Sequence, residues 1–372
     1  MNRPAPISWL LRHPVANAES RESAALLVGA VVFVVGAIPA VLVFWDRDVP
    51  IAGPGSVGQF IALASAVVAI VIFIATRMVM HAGRAAGTLL DPDSGHGPPG
   101  RDDLLRWYDI GAIALAHGVI ALLAWLAVAG LTSRSFIGAV VFPVPATLLA
   151  AVAIAVSAYM VFLSAVGLTP LVMSVVLAVF VVVGTFASML SASDPLWWQE
   201  NLSTLGISDD ISSLAFNLTV LVAGVIVTTL AHYASAALPV ATPEEARGRT
   251  RVRGALVLLG VLLACVGLFP LDQNPMAHNV AATGMLVLFV TVVVRLRAWI
   301  PAMPRVFLLL GYGYVGVITV LAVWFVTGYY TLTAVELVSF LLIFSWLIVF
   351  LRHTGAMPAA KGAGDDGASL PS

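Results

Sequence analysis

One cysteine, Cys265, and one lysine, Lys361, occur in 372 residues, and charged residues make up only 10% of the chain. A lone cysteine excludes a disulfide framework and a cysteine metal cluster. With its only lysine close to the C-terminus, the chain has no buried amine for a Schiff base, which excludes a retinal protein. No Walker loop, HExxH or CxxC occurs, removing the usual nucleotide and zinc-protease chemistries. Zinc hydrolase chemistry inside a membrane needs several histidines near one depth, and the candidate face described below offers one. The formal net charge is −1, and the only dense basic stretch is Arg247, Arg249, Arg251 and Arg253. Neither a nucleic-acid partner nor a metal or other cofactor is expected. The four arginines read as a loop that anchors to anionic lipid headgroups.

Polar surface is the largest deficit, too small to cover soluble domains of this length. In its place stand apolar runs: 60% of residues are hydrophobic and the mean hydropathy is +1.03. A helix needs about 20 apolar residues to cross the hydrocarbon layer. Ten stretches qualify, at 24–45, 58–80, 108–131, 138–164, 170–191, 212–235, 254–270, 277–294, 306–327 and 333–351, the seventh and eighth being the shortest. The runs are unbroken, whereas membrane strands alternate apolar and polar positions. The expected fold is therefore all-α, a polytopic bundle of about ten transmembrane helices. Residues 1–23 read as a cytoplasmic tail before an uncleaved first helix. The Gly/Pro-rich linker 82–105 interrupts an N-terminal four-helix unit, 24–165, which precedes a C-terminal six-helix unit, 170–352. Residues 353–372, rich in Ala, Gly, Pro and Ser, read as a disordered tail.

The basic residues are distributed unevenly over this plan. All of the 18 Lys and Arg except Arg47 and Arg134 fall in alternate gaps between the runs. Short loops rich in Lys and Arg stay cytoplasmic, so both termini are expected inside and the protein in the plasma membrane.

With the arginines assigned inside, the opposite face shows two polar loops on the C-terminal unit. The stretch at 192–211 carries Asp194, Trp197, Trp198, Glu200, Asn201, Ser203, Asp209 and Asp210, and Asn217 follows about two turns into the next run. The second, at 271–278, carries Asp272 and His278, followed by Asn279. Glu336 opens the last run roughly 7 Å below the surface at 1.5 Å per residue. The candidate ligand-binding set is Trp197, Trp198, Glu200, Asn201, Ser203, Asn217, Asp272, His278, Asn279 and Glu336.

Each residue also has a plainer reading. The tryptophans suit a headgroup-level aromatic belt, and Ser208, Asp209 and Asp210 suit a helix start. The patterns Asn201-Leu-Ser203 and Asn217-Leu-Thr219 match the glycosylation acceptor, but the second lies within a membrane run. A carboxylate inside a membrane helix by default marks a bundle interior, a partner or a water-filled cavity. Glu336 paired with His278 in a low-dielectric pocket is an acid–base candidate or a static bond holding the bundle together. On the third run, Asp109 reaches toward inner water and His117 is a proton-relay candidate. The GYGYVG stretch at 311–316 reads as a helix-packing surface rather than an ion filter.

The segments SDPLWWQENLSTLG (193–206), SSLAFNLTVLVAG (212–224) and LFPLDQNPMAHNVAA (268–282) resemble the bacterial membrane family known as domain of unknown function 998. They are more distantly similar to the DRAM-type six-helix membrane proteins. The matching residues are Ser203, Leu205, Gly206, Phe216, Asn217, Gly224, Pro270, His278 and Asn279. The resemblance covers about residues 170–352, implies a six-helix unit and brings no activity. Three functions remain open on the sequence. The outward polar site binds or helps translocate a lipid or amphiphile; or an enzyme modifies a lipid-linked substrate there, with Glu336 or Asp272 as base and His278 as acid; or the chain is a structural or regulatory subunit whose first four helices dock a protein partner.

Overall fold

The computed structural model describes residues 18–85, 107–207, 211–236, 238, 240 and 242–356. The sequence readings of residues 1–17, most of the linker, the Ser208–Asp210 helix start and the tail after 356 lie outside the described residues. Among the described residues, ten helices are long and apolar enough to cross a membrane, and the chain is a multi-pass membrane protein. They are α1 (Ala18–Phe44), α2 (Val57–Ala85), α3 (Trp107–Ser135), α4 (Pro143–Val166), α5 (Pro170–Ser191), α6 (Ile211–Ala236), α7 (Pro243–Leu268), α8 (Pro275–Trp299), α9 (Arg305–Val326) and α10 (Leu332–Ala356). The strands β1 (Val49–Pro50) and β2 (Val140–Val141) form one antiparallel bridge that ties the turn after α1 to the start of α4.

Local chemistry explains where several helices begin. Proline occupies the first turn of α4, α5, α7 and α8, where its missing N–H leaves no unmet bond. Thr169 caps α5 by accepting from the Val172 N–H, and Asn274 caps α8 by accepting from Ala277. In α7, Thr242 and Glu245 form a reciprocal capping box.

That box corrects two expectations. The seventh crossing is a full helix of 26 residues, starting eleven positions before the apolar run does. Arg247, Arg249, Arg251 and Arg253 are therefore not a loop but the early turns of α7. On that helix Arg247 and Arg251 are exposed, Arg249 and Arg253 are half-buried, and Arg247 pairs with Glu244 at 3.5 Å. The eighth crossing is likewise longer than its apolar run, at 25 residues.

In the N-terminal part α1 packs on α4, and α2 packs on both α3 and α4. Helix α3 then lies against α5 and α6, so one continuous hydrophobic core runs from Phe73 and Ile113 through Phe180 and Phe289 to Trp346 and Phe350. A smaller core around Phe44, Ile61 and Ala150 closes the end near the β-bridge. Within the C-terminal part α6 packs on α5 and α7, α7 on α8, and α10 returns to α5 and α6.

The α6–α7 seam is set by glycine. A Cβ on Gly260 would lie 2.3 Å from Thr228 Oγ1 and 2.6 Å from the Gly224 carbonyl oxygen, so the two backbones meet where nothing larger fits. Within GYGYVG only Gly311 serves such a contact, between Val293 of α8 and Trp346 of α10, while Gly313 and Gly316 face open space. Helix α9 thus sits in the α8–α10 seam near Gly311, and from Thr319 to Val326 none of its residues is buried.

Candidate functional site

The connection from α5 to α6 lies on the face that carries only Arg47 and Arg134 among the described basic residues. It folds down onto the bundle instead of projecting away. Asp194 Oδ1 accepts from the Leu196 N–H at 2.8 Å, and two short 3-10 turns follow at Trp197–Gln199 and Leu202–Gly206. The second turn buries Leu202, Leu205 and Gly206. A helix start leaves N–H groups without partners and a helix end leaves carbonyls. Here, side chains of α10 and α6 supply such partners, and α8 adds a bond to a side chain of the turn.

Glu336, in the second turn of α10, accepts from the Leu202 N–H through Oε2 at 2.6 Å. On α8, His278 is 3% exposed, and its Nε2 lies 2.9 Å from Ser203 Oγ. Asn217 on α6 donates from Nδ2 to the Gly206 carbonyl at 2.9 Å, and Ser212 donates to Leu205 O at 3.3 Å. A Cβ on Gly206 would lie 2.6 Å from Asn217 Oδ1, so a larger residue there would have to displace the Asn217 side chain. The His278 tautomer follows from its other bond: Nδ1 is 2.9 Å from the Phe269 carbonyl, which can only accept. Nδ1 therefore carries the proton and Nε2 accepts from the Ser203 hydroxyl.

Beneath the turn, α6, α7, α8 and α10 enclose a cavity of about 290 Å³, at the small end of the range for ligand pockets. Its walls are apolar: Phe216 and Val220, Leu259 and Leu263, Met285 and Leu286, and Phe340, Ile343, Phe344 and Leu347. The polar lining is Ser203, Thr283, Ser339 and Glu336. From Glu336 to Leu347 the lining descends about 16 Å along α10 at 1.5 Å per residue. The site is a narrow apolar shaft with its one carboxylate near the top.

The sequence-expected residues divide into three groups. Ser203 and Glu336 line the cavity, while Asn217 and His278 hold the roof from outside it. Trp197 packs against the core and Trp198 stays half exposed. Glu200 is exposed and accepts from Thr204 Oγ1 at 3.3 Å, and the buried Oδ1 of Asn201 has no partner among the described residues. Asp272 and Asn279 are exposed and do not line the cavity. Glu336 and His278 do not bond to each other; they grip neighbouring residues of one turn. Thr283, Ser339 and the Phe340–Phe344 pair were not anticipated. The signal for part of this was present, since Glu336, Phe340 and Phe344 recur every four residues and share a helix face.

Elsewhere, His117 donates through Nδ1 to the Ile113 carbonyl at 2.8 Å, bonds Ser164 Oγ through Nε2 at 2.8 Å and stacks on Phe73. With both nitrogens bonded, it clasps α3 to α4. Asp109 is buried. Among the described residues no group of three His, Cys, Asp or Glu is placed to hold a metal ion. No protein-family model, curated protein or solved structure matches the chain.

Proposed function

We propose that the cavity beneath the Leu202–Gly206 turn binds the apolar part of a lipid or amphiphile, presented from the outer leaflet of the plasma membrane. The observation that carries this reading is the shaft itself: apolar along its length, polar only at Ser203, Thr283, Ser339 and Glu336. The membrane side of the shaft is the route we propose, since α9 sits in the α8–α10 seam near Gly311 and none of its residues from Thr319 to Val326 is buried. Orientation rests on the arginine distribution, which puts both termini in the cytoplasm and the turn outside. The likeness of residues 170–352 to the family known as domain of unknown function 998 rests on the quoted residues, several of which hold the turn. The first four helices are proposed to dock a protein partner. Helix α1 leaves most of its surface uncovered, with 11% of its apolar window buried.

The test is cavity filling. Ala282 lines the shaft, and Ala282→Phe should reduce the lipid that co-purifies in mild detergent, as read by native mass spectrometry. The same bound lipid in wild type and variant, or none in either, sinks the proposal.

A second reading, an enzyme acting on a lipid-linked substrate, is favoured by the 2.9 Å contact between Ser203 Oγ and His278 Nε2 at the cavity wall. A base within hydrogen-bond reach of a hydroxyl, itself oriented by a third group, is the geometry of an activated nucleophile. The same His–Ser contact at His117 and Ser164 clasps two helices, which ranks the enzyme second.

A further inference from the structure

We infer that the ligand of this cavity carries a positive charge: the shaft is a site for lipophilic cations, with Glu336 as counter-ion. This deepens the lipid-or-amphiphile reading and rests on it. The argument begins with what the lining holds. It contains one carboxylate and no Lys, Arg or His. Glu336 Oε2 accepts from the Leu202 N–H at 2.6 Å, and no second partner for the carboxylate is found among the described residues. An ionised group in an apolar surrounding is costly unless a partner compensates it, and a single backbone N–H does so only in part. His278, the titratable side chain that α8 brings to the turn, has both nitrogens engaged with Phe269 O and Ser203. A cationic ligand supplies what the protein withholds. An anionic headgroup would find no cationic partner anywhere in the lining.

The aromatic lining points the same way. Phe340 lies one turn below Glu336 on the same face of α10, and its ring centroid is 4.6 Å from that of Phe344. Phe216 faces the shaft from α6. A cation held by Glu336 lies near these rings, and aromatic faces attract positive charge through their quadrupoles. Ser203 and Ser339 add hydroxyl oxygens that accept from an N–H where the cation has one. Each feature has a structural use alone, but a carboxylate without counter-charge above a tilted pair of phenylalanines in an apolar shaft fits a hydrophobic cation.

The test uses two ions of nearly equal size and opposite charge, tetraphenylphosphonium and tetraphenylborate, each titrated into the detergent-solubilised full-length protein. Wild type should bind the phosphonium and not the borate. Glu336→Gln retains an acceptor for Leu202 and should keep the fold, checked by the thermal melt, while binding the phosphonium at least about tenfold more weakly, as expected for losing one close charge pair. Phe340→Leu, which keeps the bulk and removes the ring, should weaken it by a smaller factor. Equal binding of both ions, preference for the borate, or unchanged binding by Glu336→Gln overturns the cation proposal. If neither ion binds while Ala282→Phe still depletes co-purified lipid, the cation proposal fails and the amphiphile reading stands; if no lipid is depleted either, both fail.

Discussion

Glu336, His278 and Asn217 come from three helices, and each bonds one short turn of the chain. Glu336 takes the Leu202 N–H, His278 takes the Ser203 hydroxyl, and Asn217 takes the Gly206 carbonyl. The Leu202–Gly206 turn is therefore held at its start by α10 and α8 and at its end by α6. His278→Ala removes both ring bonds and leaves the Phe269 carbonyl and the Ser203 hydroxyl without their partner. Hydrogen bonds of this kind in membrane bundles contribute about 0.6–2 kcal/mol each. The variant should thus lower the thermal melt in detergent by several degrees, and an unchanged melt would show that the histidine does not hold the roof. At this scale Glu336 was legible as exceptional, because a carboxylate inside an apolar run needs a reason. Its partner was not legible: His278, Asn279 and Asn217 were the nearest candidates by depth, whereas the bond goes to a backbone amide, a group every residue possesses.

The helices differ in how much of their packing depends on small residues. The α6–α7 seam allows no side chain at Gly260, where a Cβ would stand 2.3 Å from Thr228 Oγ1. Gly260→Leu should therefore separate the two helices and destabilise by about 1–3 kcal/mol or more, the usual cost of overpacking. Gly313→Ala, which faces open space on α9, should leave the melt within about 0.5 kcal/mol of wild type, as uncommitted surface positions do. Comparing the two melts checks the assignment, and equal effects would refute it. Most helix spans were readable from the apolar runs, since the hydrocarbon layer demands that length. The start of α7 was misread because hydropathy gives no weight to a capping box, and a helix holding four arginines looks like a loop to any average over polarity. Thr242 with Glu245 was the available signal.

For the whole molecule, the arginine asymmetry makes a claim about sidedness that cysteine labelling checks directly. In a Cys265→Ser background, Ser193→Cys in the α5–α6 connection should react with a membrane-impermeant maleimide on intact cells. Thr250→Cys, on the exposed side of α7 among the arginines, should react only after permeabilisation. The reverse pattern overturns the orientation and moves the cavity mouth to the cytoplasm. The two helix groups read from the linker share one core, because α3 packs on α5 and α6. A polar linker in the sequence marks where the chain leaves the membrane and says nothing about which helices meet inside it.

The sequence by itself determined the solvent this protein lives in and its ten crossings. These follow from composition and run length, which the bilayer reads without regard to tertiary contacts. Only the tertiary structure decided that the α5–α6 connection folds inward as a roof, that Glu336 and His278 meet the same turn and not each other, and that a shaft opens beneath them. Those outcomes depend on backbone amides and on cavities between four helices. Backbone amides are alike in every sequence, and a cavity belongs to no single segment.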